Sequence, residues 1–334
     1  MQKAAIVILN YNGRQVLETF LPSVVKYSTF PIIIADNCSQ DDSVDFLQKH
    51  FSKLQVIQLS KNYGFAQGYN LTLEQLKGSF EFFILLNSDV EVTHRWDIDL
   101  IEWLDASPDA VSVQPKILSA QNHTVFDYAG AGGGYLDQLG YPFCRGRILE
   151  SVEEDHGQYN DIVPVDWSSG ACMAVRANDF FDFGGFDRQF FAHMEEIDLC
   201  WRWRNAGLQP YYNGHIQVYH FGGGTLSRSN STKVYLNFRN SLLMNRKNLH
   251  GFGFAWVYAH RLVLDVVAML FFLVKGQLGF VKAVLKAHLD YGKMSKNIIT
   301  SSHSHGHAKK KRPYAILWHY YGLGYRMFSP SLIE

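Results

Sequence analysis

Four short apolar runs, each followed by a polar loop, restrict this chain to few folds. Residues 4–9, 32–35, 54–59 and 82–86 are rich in Ile, Val, Leu and Phe. Strands buried on both faces of a sheet read as such runs, because neither face can be polar. The segments between them, 14–25, 42–51 and 66–76, carry apolar residues at helical spacing. Strand and helix therefore alternate, and right-handed crossovers lay the strands into one open, mostly parallel α/β sheet flanked by helices. Ligands of such sheets sit beyond the C-terminal strand ends. There the sequence places NYNG, DNCSQDD, KNYGFAQG and NSD. These loops make Asn10, Asn12, Asp36, Asn62, Gly64, Asn87 and Asp89 candidate site residues. The region 96–225 is less regular, with a glycine-rich loop (129–135), strand-like runs at 171–175 and 216–220, and a GGFD turn. From about 232 the sequence turns helical.

Asp89 ends the fourth run beside small polar residues. Such an acid suits a hard divalent cation, Mg²⁺ or Mn²⁺, which shares oxygen ligands with a diphosphate. The same residues also suit a turn or helix cap. Asp36 directly ends the second run, where its carboxylate can accept the ring N–H of a pyrimidine base or simply brace a turn. Gly64 and Gly68 bracket a helix start, which lets a nucleotide approach the backbone and favours anions. The spacing is not GxGxxG, and no acid follows at dinucleotide-fold distance, which argues against a dehydrogenase. His220, at the end of IQVYH, becomes a plausible neutral imidazole ligand beside a metal.

The stretch FAHMEEIDLCWRWRNAG (191–207) sets Glu195, Glu196 and Asp198 in the first turn of an expected helix from Glu195 to Arg204. The helix dipole alone stabilises acids there by about 0.3–1 kcal/mol. Asp198 and Arg202 stand at i,i+4 and can pair, so the local pattern explains all three acids without chemistry.

In their order, VILNYNG (7–13), ADNCSQDDS (35–43), NYGFAQGYN (62–70), LLNSDVEV (85–92), WSSGACMAVR (167–176), FGGFDRQFFAHMEEIDLCWRWRNAG (183–207) and VYHFGGGT (218–225) closely resemble the family 2 glycosyltransferases, in particular the bacterial branch similar to rhamnosyltransferases. The resemblance covers about the first 225 residues. It implies a GT-A fold and metal-assisted, inverting transfer from a nucleotide-diphosphate sugar. By that analogy Asp36 meets the base, Asn62 and Gly64 lie near the ribose, and Asn10, Asn12 and Asn87 line the nucleotide sugar. Asp89 holds the metal, and His220 completes its site. The family's usual acid pair is Glu-Asp with the second member as base. Here that second position is the longer Glu196, so both Glu196 and Glu195 stay in play. Trp167, Gly185, Phe186 and Phe191 are the expected acceptor-binding residues. One carboxylate base and no enzymatic nucleophile means one displacement, hence inversion.

Charge divides the chain. Up to His220 there are 15 Lys and Arg against 28 Asp and Glu, and from Phe221 onward 16 against 3. The expected organisation is a transferase domain (1–225, with a nucleotide-binding half 1–95 and an acceptor half 96–225) and a basic helical tail (226–334). In the apolar stretch 254–274, His260, Arg261 and Asp265 interrupt the run, which leaves 266–274, short of the ~20 residues that span a bilayer. Lys275, Lys282, Lys286 and Lys293 then line one face of a helix, opposite Phe280, Val281, Val284 and Tyr291. That pattern predicts a helix lying on an anionic membrane surface, or one docked on the protein's own core. The expected setting is cytoplasmic, peripheral on the inner face of the cell membrane, with a saccharide or lipid-linked saccharide acceptor. No nucleic-acid motif accompanies the charge. The start MQKAAIVILN reads as a strand rather than an export signal, and four scattered cysteines suggest reduced thiols. A catalytically silent sugar-nucleotide-binding subunit and a sugar nucleotidyltransferase are the competing functions.

Overall fold

The computed structural model describes residues 1–222, 230–298 and 315–333. Residues 223–225 of the last motif and the basic segment 301–312 lie outside the described residues.

The expected alternation forms. Strands β1 (Gln2–Asn10), β2 (Ile32–Asp36), β3 (Gln55–Gln58) and β4 (Phe80–Asn87) are separated by helices α1 (Arg14–Tyr27), α2 (Ser43–His50) and α3 (Gly64–Gln75). They pair in parallel in the order β3-β2-β1-β4. The chain winds outward from β1 to β3 and then returns to the other side of β1. The winding therefore reverses between β1 and β4, where open α/β sheets bind ligands. The runs are continuous because successive residues feed two cores. Val7, Ile33, Phe83 and Leu85 pack with Tyr69 and Leu73 of α3. Ile6, Ile8, Ile34 and Leu86 pack with Leu17 and Leu21 of α1. Each fully buried side chain of this size contributes about 1.5–3 kcal/mol.

The second half extends the same sheet. After β5 (Val90–Val92) and α4 (Trp96–Ala106) comes β6 (Ala110–Ser119). Then β7 (Gly134–Leu136), β8 (Pro142–Cys144), β9 (Arg147–Ile148) and β10 (Ser151–Val152) form a separate four-stranded antiparallel sheet, which the sequence did not announce. β11 (Ile162–Pro164), β12 (Cys172–Arg176), α5 (Ala177–Asp182), α6 (Glu195–Asn205) and β13 (Gln209–His220) follow. The main sheet runs β11-β13-β6-β12-β4-β1-β2-β3, with β5 on β13. β12 is antiparallel to β4 and β6, and its first residue, Cys172, faces Leu86 at the end of β4. That reversal carries the WSSG segment to the edge where β1 and β4 end.

Helices α7 (Ser231–Asn248), α8 (Gly251–Val274) and α9 (Leu278–Met294) complete the structure. α7 buries a polar row, Arg239, Asn240, Asn245, Lys247 and Asn248, against residues of the preceding sheet half and of α6 and the loop before it. α9 packs Ala283, Val284, Ala287 and Tyr291 inward. That side of α9 thus docks on the protein's own core, while Leu278, Leu285 and Leu289 of α9 stay exposed beside a longer exposed apolar stripe on α8. Leu262, Val263, Val266, Val267, Leu270 and Val274 of α8 are exposed. Arg261 and Asp265, which interrupt the run in sequence, turn inward: Arg261 bonds Ser241 Oγ at 2.7 Å, and His288 Nε2 lies 3.0 Å from Asp265 Oδ2. By length and composition α8 is apolar enough to cross a membrane.

Candidate functional site

Asn10 and Asp36 end adjacent parallel strands and meet. Asn10 Nδ2 donates to Asp36 Oδ1 (3.0 Å) and to Ser39 Oγ (3.1 Å). Ser39 donates from its backbone N–H to Asp36 Oδ2 and from its hydroxyl to Oδ1. Asp36 thus braces the loop after β2. Asn12, at φ +50, accepts from the Gln40 N–H at 2.6 Å. Asn62 Oδ1 accepts from the Gly64 N–H, and Asn37 ties the two loops by donating to Asn62 Oδ1 and to the Gly64 carbonyl. Asn37 and Ser39, which the sequence reading passed over inside its own motif, thus hold these candidate residues in place.

Gly64 has φ +75, and a Cβ there would lie 2.5 Å from the ring and carbonyl of Phe191. The Phe191 carbonyl also accepts from the N–H groups of Phe65 (2.6 Å) and Ala66 (3.2 Å) at the start of α3. These donors, expected to face an anion, are taken by the loop before α6. A helix start leaves N–H groups without intrahelical partners, and a loop carbonyl satisfies them as well as a phosphate does.

At the end of β4, Asp89 and His220 converge. His220 Nε2 lies 3.2 Å from Asp89 Oδ1 and 3.4 Å from Asn87 Nδ2. His220 Nδ1 lies 2.8 Å from Asp127 Oδ1. Asp127, far upstream, had no sequence signal. A carboxylate behind an imidazole fixes its orientation and raises its basicity. Burial pulls the His220 pKa down, but Asp89 and Asp127 outweigh it and raise it to about 10. Among the described residues no three His, Cys, Asp or Glu side chains gather to hold an ion. A pKa of about 10 leaves both His220 ring nitrogens protonated at neutral pH, so the neutral imidazole expected as a ligand is instead an imidazolium between Asp89 and Asp127, and a cation beside Asp89 would have to displace the Nε2 proton before His220 could ligate it.

α6 starts at Glu195, as expected, and carries the two candidate bases. Glu195 is buried and Glu196 half-buried, and Oε2 of each has no hydrogen-bond partner among the described residues. Burial raises the pKa of Glu196 to about 7, against the backbone N–H groups of Glu196, Ile197 and Gly170. Burial and the Glu196 charge push Glu195 well above the usual carboxylate range. Glu196 lies beside the WSSG segment. A Cβ built on Gly170 would lie 3.9 Å from its carboxyl carbon and 3.2 Å from Phe65 of α3. Next to Gly170, the Ala171 carbonyl accepts from the Asn87 N–H. Asp198 has a structural post: its oxygens accept from Arg202 (2.8 Å), Lys247 (2.9 Å) and Asn248 (2.9 Å). Burial opposes its ionisation, but Arg202 and Lys247 hold its pKa below the ordinary value.

The aromatic wall is smaller than expected. Trp167 is buried, bonds the Tyr135 carbonyl through Nε1 and lies flat on Gly134, where a Cβ would come within 2.2 Å of its ring. Phe186 is buried among Phe65, Tyr69 and Phe180. Neither presents a face to a ligand, because both rings fill core volume. Gly185, at φ +64, makes the turn and gives its carbonyl to Arg202. Phe191 alone of the three aromatics is open, at 43% exposure.

Residues 5–130 match the model of glycosyl transferase family 2. The chain is 25% identical over 224 residues to the rhamnosyltransferase WbbL of Escherichia coli, covering 65% of this chain and 82% of that protein. It is 24% identical over 260 residues to N-acetylglucosaminyl-diphospho-decaprenol L-rhamnosyltransferase of Mycobacterium tuberculosis, covering 71% and 82%. Among solved structures it is similar in fold to GalNAc-T7 with UDP, GalNAc and Mn²⁺, with a TM-score of 0.54 and 14% identity. That match covers 74% of this chain and about half (48%) of the other.

Proposed function

We propose that this chain, whose residues 5–130 match the model of glycosyl transferase family 2, transfers a hexose or deoxyhexose, with inversion, from a nucleotide-diphosphate sugar to a hydroxyl of a lipid-linked saccharide. One observation carries this reading. Glu196, a half-buried carboxylate with its pKa pushed to about 7 and an Oε2 without a partner among the described residues, lies beside Gly170, whose neighbour Ala171 bonds Asn87 at the end of β4.

The roles follow from charge. Asp36, Asn10, Asn12 and Asn62 shape the nucleotide side at the ends of β1, β2 and β3, with Gly64 beside them. Asn87 borders the sugar. Asp89, with His220 once its Nε2 proton is displaced, would hold a divalent cation, Mg²⁺ or Mn²⁺, which would offset charge on the departing diphosphate. The acceptor oxygen attacks the anomeric carbon from the face opposite the diphosphate, and Glu196 takes its proton. The bond to the diphosphate breaks with its electron pair leaving on the phosphate oxygen. A pKa near 7 suits a base that works at neutral pH. Phe191 offers the exposed ring on which a sugar can stack. The two rhamnosyltransferase relatives, one named for a diphospho-decaprenol saccharide, support a lipid-borne acceptor in cell-surface polysaccharide synthesis.

A lipid-borne acceptor suits a cytoplasmic protein peripheral to the inner face of the membrane. The exposed stripe of α8, flanked by the exposed Lys275, Lys282 and Lys293, offers apolar insertion beside charge that favours an anionic leaflet. Arg261 and Asp265, tied to the body, keep α8 against the domain rather than across the bilayer.

The test is release of nucleoside diphosphate from a panel of UDP-, GDP- and dTDP-sugars, with and without Mn²⁺. Wild type should release it in a Mn²⁺-dependent way, and Asp89→Ala should lose both the activity and the Mn²⁺ effect. Full metal-dependent release by Asp89→Ala would overturn the site, and pyrophosphate release from a triphosphate would favour a nucleotidyltransferase.

A further inference from the structure

The loop that delivers α6 is strained, and the helix after β13 holds it. Phe191, His193 and Met194, immediately before Glu195, take φ of +65, +70 and +75. Side chains other than glycine rarely adopt this left-handed region, and three such residues persist only where surroundings over-determine them. On one side, the Phe191 carbonyl is held by the N–H groups of Phe65 and Ala66. On the other side stands α7. The Asn240 side-chain amide donates to three carbonyls, those of Phe190 (2.9 Å), Ala192 (2.8 Å) and His193 (2.7 Å). Arg239 donates to the carbonyls of Gln189 (3.0 Å) and Phe190 (2.9 Å), and its Nε donates to Asn240 Oδ1 (2.9 Å), which orients the amide. Both side chains are buried. Lys247 joins Asp187, at the start of the loop, to Asp198 within α6.

We propose that Arg239 and Asn240 are positioning residues for the proton-accepting carboxylate: they clamp the carbonyls of residues 189–193 and so fix where the first turn of α6 presents Glu196. The clamp rests on the reading of Glu196 as the base. It makes α7 part of the catalytic domain, and it links the start of α3 on the nucleotide side to the base through a single loop. Buried polar groups of this kind stabilise any fold, so the distinguishing readout must come from the base itself. Among the described residues, the titratable groups that interact with Glu196 are Glu195 and the Cys200 thiol of α6. Gly170 and Phe65, which face it from other elements, do not titrate.

The experiment uses the full chain and the nucleotide sugar that gives the largest thermal shift with Mn²⁺. For Asn240→Ala, kcat should fall at least tenfold while donor KM changes less than about threefold. The acidic limb of the kcat–pH profile should move down by about one unit as Glu196 gains access to water. Should Asn240→Ala fail to melt cooperatively, Arg239→Gln carries the same expectation with a loss of about fivefold. A folded variant with unchanged kcat and limb overturns the proposal, as does a loss of kcat that tracks the folded fraction with the limb in place. Glu196→Gln separates the two readings. If Glu196→Gln keeps turnover, the base assignment fails. If it is inactive while Asn240→Ala behaves as wild type, only the clamp fails.

Discussion

Glu196→Gln should make the protein more stable, and only above a certain pH. The carboxylate has an ordinary pKa near 4.5 and a folded value of about 7, raised by burial. A carboxyl group raised on folding costs nothing below its unfolded value, where both states hold the proton. The penalty grows between about pH 4.5 and 7 and is full above that. The shift of about 2.5 units corresponds to about 3 kcal/mol. Glu196 is half-buried, so solvent screening trims this to about 1–2 kcal/mol. With an unfolding entropy of about 2.1 cal/mol/K per residue, the 334 residues give about 0.7 kcal/mol/K. The variant should then melt about 1.5–3 °C above wild type at pH 8 and at the same temperature near pH 4.5. Scanning calorimetry at a series of pH values reads this directly. A difference in melting temperature that is flat across pH, or negative at pH 8, would refute the reasoning that the site holds a desolvated carboxylate at a cost to the fold.

The other carboxylates should behave differently. Asp198→Asn leaves Arg202 and Lys247 buried without their anion, which costs about 3–5 kcal/mol. Its melting temperature should fall by about 4–7 °C, and because the Asp198 pKa is lowered, the gap to wild type should close as the pH drops below the ordinary carboxylate range. Asp89→Ala should lose the additional thermal shift that Mn²⁺ gives over UDP alone, measured by dye-based melting. For the membrane face, Val263→Glu with Val267→Glu, at 65% and 56% exposure, should lower sedimentation with vesicles containing anionic lipid at least fivefold without lowering the melting temperature. Unchanged vesicle binding would remove α8 as the contact.

The first half of the sheet was legible because buried parallel strands leave an unmistakable trace: runs such as Ile32 to Ala35 have no polar face. The helix of Glu195 and Glu196 was legible for a similar local reason, and the Asp198–Arg202 pair stands where its spacing put it. What failed to show depends on distance in the chain. Asp127 reaches His220 across 93 residues, and nothing around it marks the contact. Arg239 and Asn240 sit in a helix whose polar row reads as solvated until the loop it covers is seen. Trp167 and Phe186 have the composition of a sugar platform, but burial, not residue type, decides whether a ring meets a ligand. The charges within α8 broke the apolar run on paper, whereas in three dimensions Arg261 and Asp265 point inward and leave the outer stripe apolar. For α9, helical periodicity located the apolar side, and α7 rather than a membrane covers it.

The central claim is that one of two adjacent glutamates moves the proton. Transfer by Glu196→Gln and Glu195→Gln, assayed side by side at pH 8 with saturating donor, tests it most directly. A lost general base is worth about 10²–10⁴-fold in rate. The account predicts a loss of that size for Glu196→Gln, with donor still bound, and less than tenfold for Glu195→Gln. The reverse order, or near-wild-type transfer by Glu196→Gln, would contradict it.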